Sequence, residues 1–182
     1  MKHILSFIYR RCLGWSSEVT VPDRDSCLMC VAPHTSNWDF IYAILFDRSS
    51  GGRAHFMMKK SWFVWPLSLL FRWQGGVPID RSSRHQITDR MAEEFRQDPH
   101  FRLAITPEGT RSPNAHWHQG IVRIATKAEV PIRLYVLDYR HKTVHCRCEL
   151  WPTGDVEADM QRIKDYYSQF GEVARKPAKF IV

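Results

Sequence analysis

A histidine and a carboxylate stand five positions apart in the segment His34-Thr35-Ser36-Asn37-Trp38-Asp39. The segment follows the apolar run 27–32, which has the length and composition of a buried strand, and Pro33 ends that run. A histidine that leaves a strand can take a proton near neutral pH, and a carboxylate one helical turn later can fix its tautomer. This spacing predicts half of an apparatus that activates a hydroxyl group.

The same segment also fits an ordinary helix start. Ser36 and Asp39 have the spacing of a capping box, in which Ser36 is the N-cap. The buried face of the helix would then carry its apolar residues, namely Phe40, Ile41, Ile44 and Leu45. On this interpretation Asp39 closes a helix end and His34 is a surface loop residue. The hexapeptide alone does not decide between the two interpretations.

Two further segments are turns at the ends of predicted strands. The stretch 75–82 combines a glycine turn, a short apolar strand and Arg81. The stretch 106–112 follows the apolar strand 101–105, and its glycine, proline and hydroxyl residues are typical of a turn with free backbone N–H groups. Because open α/β sheets bind their ligands at strand ends, three such segments together favour a binding site.

In order and spacing, these segments resemble the motifs of the glycerolipid acyltransferases. The matching residues are His34-x4-Asp39, Gly75…Arg81 and Pro107-Glu108-Gly109-Thr110-Arg111. A fourth block of that family, a strand that contains proline, is matched by Val-Pro-Ile-Arg-Leu at 130–134. The resemblance runs from about residue 31 to residue 137. The best-known members of the family are the 1-acyl-glycerol-3-phosphate (lysophosphatidate) acyltransferases.

The resemblance implies a role for each matched residue. His34 would be the general base for the acceptor hydroxyl, and Asp39 would orient and charge-balance His34. Arg81 would contact the acceptor's phosphate or an equivalent anionic head group, because a planar guanidinium fork suits a phosphate. The acceptor pocket would be shaped by the remaining matched residues, Glu108, Gly109, Thr110 and Arg111. Direct attack on an acyl-CoA or acyl-carrier-protein thioester needs no protein nucleophile, and we expect no cofactor and no metal.

The chain departs from the family pattern in three places. Thr106 stands where many members have an aromatic residue, and the segment 133–135 lacks a second proline, which weakens any inference about acyl-chain selection. Only 33 residues precede His34, which leaves little room for the N-terminal helical membrane anchor of longer members.

Alternating strands and helices must position these motifs. Strands are predicted near residues 27–32, 54–58, 77–80, 101–105, 130–138 and 144–150. Helices are predicted near residues 37–46, 62–72, 84–97, 119–128 and 155–170. This alternation predicts an α/β fold, a single layered domain with a mostly parallel mixed sheet flanked by helices, and with one antiparallel pair. The glycerol-3-phosphate acyltransferase-like fold implied by the resemblance agrees with this prediction.

Composition favours one domain over residues 1–182. The chain is 44% hydrophobic, which allows a substantial core, and it contains no linker or repeat. Its net charge of +7 fits an anionic membrane, an acidic carrier protein or nucleic acid, although no nucleic-acid motif is present. The alternative is that the protein is only mildly basic and that its charge serves no special partner.

Two segments suit a membrane surface. The apolar stretch 61–71 lies between Lys59-Lys60 and Arg72 and is shorter than the ~20 residues that span a bilayer. Its tryptophans beside basic residues fit a head-group interface, and a buried core helix is the alternative. Residues 1–20 form a second candidate surface anchor. We expect a peripheral protein on the cytoplasmic face of the membrane.

Five cysteines include the close pairs Cys27-x-x-Cys30 and Cys146-x-Cys148. Four thiolates could hold zinc, but both pairs lie in predicted strands, where cysteine is a common buried residue. An odd number of cysteines without a secretion signal indicates reduced thiols in the cytosol.

These observations predict an O-acyltransferase that moves a fatty acyl chain from a thioester to a hydroxyl of a lyso-lipid, with 1-acyl-glycerol-3-phosphate as the favoured acceptor. One alternative acceptor is another lyso-lipid, such as a lyso-aminolipid. A non-catalytic protein that binds lipid or a membrane surface is an alternative of a different class.

Overall fold

The computed structural model describes residues 2–80 and 84–182. Within these residues, seven strands form one sheet: β1 Ser16–Val19, β2 Cys27–Ala32, β3 His55–Lys59, β4 Gly76–Ile79, β5 Arg102–Ile105, β6 Ile132–Asp138 and β7 Thr143–Leu150. The α-helices are α1 Lys2–Phe7, α2 Asn37–Ser50, α3 Leu67–Trp73, α4 Arg84–Gln97, α5 Gly120–Ala128 and α6 Val156–Ser168. Short turns of other helical types lie at Ile8–Cys12, Lys60–Trp62, Gly171–Val173 and Pro177–Lys179.

The strand order is β1-β7-β6-β2-β5-β3-β4. Every neighbouring pair is parallel except β6 and β7, which run antiparallel. The predicted fold class, a mostly parallel mixed sheet flanked by helices with one antiparallel pair, is therefore confirmed. The central strands β2 and β6 are buried at every residue, as expected for parallel strands that are covered on both faces.

The sheet separates two hydrophobic cores. On one face, residues such as Leu28, Ile121 and Ile163 are fully buried with the apolar sides of α4, α5 and α6. On the other face, Phe46 of α2 packs with Met29 and with the N-terminal residues around Trp15. The three strands that carry the motifs of the first, third and fourth blocks therefore lie side by side inside the sheet, between the two cores.

Three local predictions differ from the structure. Strand β1 was not predicted, because its polar sequence Ser-Ser-Glu-Val shows no apolar pattern. It is a strand because it pairs with β7, which lies far along the chain. Helix α3 begins at Leu67, not near residue 62, because the residue before Pro66 is disfavoured in a helix. In α2, Ile41 is 42% exposed, and Phe46 and Asp47 are buried instead.

Candidate active site

The first motif forms the junction between β2 and α2. Ser36 is the N-cap of α2, its hydroxyl accepts a hydrogen bond from the Trp38 N–H, and Asp39 completes the capping box. Such a cap typically stabilises a helix by ~1 kcal/mol. The capping interpretation is therefore correct, but it does not exclude the catalytic one, because the Asp39 carboxylate also reaches His34.

The carboxylate of Asp39 organises the whole loop after β2. It is 1% exposed, and its Oδ2 accepts hydrogen bonds from the backbone N–H groups of Thr35 at 2.6 Å and Ser36 at 2.7 Å. The same oxygen lies 3.4 Å from Nδ1 of His34, whose side chain is 16% exposed. This separation is slightly longer than a normal hydrogen bond, and such contacts tighten when a substrate binds.

The orientation of the His34 ring suits general-base chemistry. Because Nδ1 faces Asp39, the other ring nitrogen, Nε2, points away from the carboxylate. A carboxylate beside Nδ1 favours the neutral tautomer that has its proton on Nδ1. Nε2 is then free to accept a proton from a substrate.

Glu108 joins the third motif to the first. Its Oε1 accepts a hydrogen bond from the backbone N–H of His34 at 2.6 Å, and its side chain is almost completely buried. Burial raises the pKa of Glu108 to about 8, and the nearby Asp39 charge adds to the rise, while the His34 N–H opposes it. The Glu108 carboxyl therefore braces the loop that carries His34.

Gly109 allows the turn that places Glu108. Its φ of +67° is in the left-handed region, and a Cβ at this position would lie 2.3 Å from Cδ2 of His118. The Gly109 N–H bonds to the carbonyl of Thr106, and the amide of Asn114 donates to the carbonyl of Glu108 at 2.9 Å. These two hydrogen bonds fix the backbone of the turn around Glu108.

Arg111 makes a second connection between the motifs. The guanidinium of this exposed residue donates to the side-chain oxygen of Asn37 at the start of α2. Thr110 is half-buried in the same turn, and its hydroxyl accepts a hydrogen bond from the Ser112 N–H. The first and third motifs are brought together at one edge of the sheet, as the sequence predicted.

The strand of the second motif, β4, lies farther from β2 than the strand of the third motif does. Strand β4 is separated from β2 by β5 and β3, so the two strands are roughly 14 Å apart at the usual strand spacing. Arg81, the predicted phosphate contact, lies outside the residues that the structure describes.

The fourth motif lies at the other end of the strands, where β6 begins beside the start of β2. Arg133 lies near the beginning of β6, is 2% exposed, and has its guanidinium 5.6 Å from the ring centroid of Tyr135. Its nearest carboxylate is Asp23, at 3.5 Å. Since His34 follows the other end of the neighbouring strand, this block supports the fold and does not line the site.

Sequence reasoning missed Tyr139, which follows β6 directly. Its hydroxyl donates to Oδ1 of Asp39 at 2.6 Å. The guanidinium of Arg175, an exposed residue near the C-terminus, lies 5.5 Å from the Tyr139 ring centroid and 5.3 Å from that of Trp38. The sequence marked Tyr139 only as the residue directly after a predicted strand, and no pattern marks Arg175.

The cysteine pairs do not form a four-thiol site. Cys27 packs on the α2 side of the sheet, whereas Cys30 packs in the core on the other side, because residues three apart in a strand face opposite ways. Burial raises the pKa of the Cys146 thiol to about 11. Within residues 2–80 and 84–182, no three His, Cys, Asp or Glu side chains cluster as metal ligands do.

No helix in the described part of the chain is long and apolar enough to cross a bilayer. The segment 60–73 is nevertheless rich in exposed apolar side chains, with Trp62 54%, Trp65 83% and Trp73 66% exposed. The alternative that this stretch is a buried core helix is therefore wrong.

Comparisons with known proteins assign the chain to a family and match its fold. The family model described as Acyltransferase matches residues 17–134, which include the first and third motifs. Among solved structures, the 1-acyl-sn-glycerophosphate (LPA) acyltransferase PlsC from Thermotoga maritima is similar over 96% of this chain and 81% of that chain, with a TM-score of 0.60 and 17% identity. No curated protein sequence matches. The likeness to PlsC shows a shared fold, and because the family model spans more than half of the chain, this protein belongs to the acyltransferase family and is an acyltransferase.

Proposed function

We propose that the enzyme moves a fatty acyl chain from a thioester, acyl-CoA or acyl-carrier protein, to a hydroxyl of a lyso-lipid, with 1-acyl-glycerol-3-phosphate as the favoured acceptor. The observation that carries this proposal is the placement of His34 against Asp39 at the carboxyl end of β2, with Glu108 holding the loop. PlsC, which has the same fold, is a 1-acyl-sn-glycerophosphate acyltransferase, and this supports the choice of acceptor.

The reaction follows from the orientation of the His34 ring. Nε2 takes the proton from the acceptor hydroxyl as the oxygen attacks the thioester carbonyl carbon and forms a C–O bond. Asp39 stabilises the resulting imidazolium through Nδ1. The tetrahedral intermediate collapses, the C–S bond breaks, and the leaving thiolate receives the proton from Nε2. General-base help of this kind contributes ~10²–10⁴-fold, and positioning of the two substrates accounts for much of the remaining rate.

Cationic groups would bind the acceptor's head group. Arg81 is the proposed phosphate contact by resemblance, and Arg111 lies at the rim where the first and third motifs meet. Glu108 and Gly109 shape this side of the pocket by fixing the turn, and Thr110 lies in the same turn. A guanidinium suits a phosphate because it can donate two parallel hydrogen bonds.

A surface of exposed apolar residues would attach the enzyme to the bilayer that holds its acceptor. This tryptophan surface consists of Trp62, Val64, Trp65, Leu67, Leu69, Leu70 and Trp73. The exposed basic residues Lys59, Lys60 and Arg72 border it. Contiguous exposed apolar side chains mark interaction sites, and tryptophans beside basic residues fit anionic head groups. The proposal therefore includes peripheral attachment on the cytoplasmic face, where thioester donors are available.

A substrate panel tests the proposed function. Purified enzyme is incubated with lyso-lipids that carry phosphate, zwitterionic or amino-acid head groups, each with acyl-CoA and with acyl-carrier protein. Acylated products are then identified by mass. We expect the phosphate-bearing acceptor to give the highest kcat/KM. A preference for a lyso-aminolipid would change the acceptor and keep the chemistry, whereas no product with any pair would contradict the proposal.

A further inference from the structure

The two oxygens of the Asp39 carboxylate have separate partners. Oδ2 accepts from two backbone N–H groups and faces the His34 ring, whereas Oδ1 accepts from the Tyr139 hydroxyl at 2.6 Å. Because each oxygen has its own hydrogen-bond partners, the plane of the carboxylate cannot rotate without losing a short hydrogen bond. The direction in which Oδ2 meets the imidazole therefore depends on Tyr139.

The Tyr139 hydroxyl is protonated near neutral pH and donates to Asp39. Burial raises its pKa well above the ordinary value, and the hydrogen bond to Asp39 raises it further, although Arg175 opposes the shift. A protonated phenol beside an ionised carboxylate has one low-energy arrangement, with the O–H directed at Oδ1. The contact is therefore not reversed by a change in pH near neutrality.

The Tyr139 ring is itself fixed by three separate parts of the chain. Trp15 meets it edge-on at 5.1 Å and 88°, and Tyr42 of α2 meets it at 5.7 Å and 89°. The Tyr139 N–H bonds to the carbonyl of Val173 at 2.9 Å, and Arg175 lies over the ring. Because these contacts fix the Tyr139 ring, the hydroxyl that donates to Asp39 also has a fixed position.

We propose that Tyr139 is a positioning residue for acyl transfer. By holding Asp39, it keeps the neutral His34 ring in the tautomer with the proton on Nδ1, so that Nε2 is the acceptor. The inference rests on the proposed function, because it requires His34 to be the base. No motif of the resemblance includes Tyr139, and the family model ends before it.

The test compares two tyrosines of one aromatic cluster. Tyr139→Phe removes the hydroxyl that reaches Asp39 and keeps the ring. Tyr42→Phe removes a hydroxyl from a ring that stacks on Trp15 at 4.3 Å, and in the described part of the chain that hydroxyl makes no hydrogen bond to Asp39. We expect Tyr139→Phe to lower kcat by roughly tenfold with KM changed less than about twofold. The loss is smaller than the ~10⁴-fold seen when the carboxylate of a comparable His–Asp pair is replaced, because Asp39 itself remains. Tyr42→Phe should retain the wild-type kcat.

A spectroscopic signature separates positioning from packing. The ¹⁵N chemical shifts of a neutral imidazole report which nitrogen carries the proton, and the His34 signals are assigned by their loss in His34→Gln. We expect the Nδ1–H tautomer in the wild type and in Tyr42→Phe, and a mixture of both tautomers in Tyr139→Phe. This measurement needs no turnover. If the protein transferred no acyl group, the proposed function would be refuted, but the effect of Tyr139 on the His34 tautomer could still be measured.

Several results would overturn the proposal. One is an unchanged kcat in Tyr139→Phe, and another is a wild-type His34 ring with its proton on Nε2. A loss of kcat in Tyr139→Phe with the wild-type tautomer retained would assign the effect to packing, as would equal losses in both tyrosine variants.

Discussion

The side chain of Glu108 accepts a hydrogen bond from the backbone N–H of His34, with 2.6 Å between the nitrogen and Oε1. Strands β2 and β5 are neighbours in the sheet, so the turns that follow them meet at one edge. The buried Glu108 carboxyl converts this proximity into a fixed contact. The third motif thus holds the loop that carries His34, in addition to any contact that it makes with a substrate.

Glu108 should make the stability of the protein depend on pH. Its pKa is about 8 in the folded protein and 4.5 in the unfolded chain, so the folded state retains a proton that the unfolded state loses. This contribution to the free energy of unfolding is complete below about pH 4.5 and is lost as the pH rises through about 8. We expect Glu108→Gln, which keeps an acceptor for the His34 N–H, to lose this dependence.

Urea unfolding of both proteins at several pH values measures the effect. Other titrating groups cancel in the difference between the wild type and Glu108→Gln, so the variant should gain stability relative to the wild type as the pH rises between about 5 and about 9. A difference that stays constant over this range would show that Glu108 has an ordinary pKa.

Gly109 should be sensitive to a single added methyl group. Gly109→Ala places a Cβ on a backbone with φ of +67° and 2.3 Å from an atom of the His118 ring. We expect the free energy of unfolding to fall by ~1–2 kcal/mol and the acceptor KM to rise, because the turn that carries Glu108 must move. Gly120→Ala is the matched control, since its Cβ meets no atom within 4 Å at the start of α5. Equal stability changes in the two variants would contradict the account of this turn.

Much of the candidate site was predictable because its signals are local. The apolar run of β2, the proline after it and the spacing of Ser36 and Asp39 all lie within a few residues of His34. The glycine turn around Gly109 has an equally local cause, its positive φ. These elements can be located from strand length, cap chemistry and turn residues alone.

The contacts that complete the site depend on distant parts of the chain. Tyr139 meets Asp39 across 100 positions of sequence, and this contact exists because β6 lies beside β2 in the sheet. The direction of the Glu108 carboxyl depends in the same way on the pairing of β2 with β5. Strand order is a global property, and no local pattern in one sequence reports it.

The tryptophan surface should control binding to vesicles. Trp65 is 83% exposed, and Trp65→Ala removes a large apolar side chain that would otherwise enter the head-group region. We expect roughly tenfold to a hundredfold weaker binding to vesicles that contain an anionic phospholipid, since full burial of a large apolar side chain is typically worth ~1.5–3 kcal/mol. Co-sedimentation with vesicles measures the bound fraction.

Trp151 is the matched control for this measurement. It is 51% exposed and follows β7, outside the tryptophan surface, so Trp151→Ala should bind vesicles like the wild type. Equal losses in the two variants, or equal binding of the wild type to anionic and neutral vesicles, would argue against an oriented, basic membrane surface.

Arg81 should discriminate between acceptors by charge. If its guanidinium contacts the phosphate, Arg81→Ala raises the KM of a phosphate-bearing lyso-lipid far more than that of a neutral one, by about tenfold or more for a charge-assisted pair. Arg96→Ala is the control, because Arg96 is an exposed residue of α4 that pairs with Glu93. Steady-state kinetics with both acceptors decides the matter, and similar changes in the two KM values would remove Arg81 from the phosphate site.

The dependence of acyl transfer on His34 tests the central claim most directly. Thiol release from the acyl donor and the mass of the acylated lipid are measured for the wild type, for His34→Ala and for His100→Ala. His100 is an exposed histidine at the opposite edge of the sheet, before β5. We predict that His34→Ala lowers kcat at least ~10²-fold while the protein stays folded and still binds vesicles, and that His100→Ala retains wild-type turnover. Wild-type turnover by folded His34→Ala would contradict the assignment of His34 as the general base.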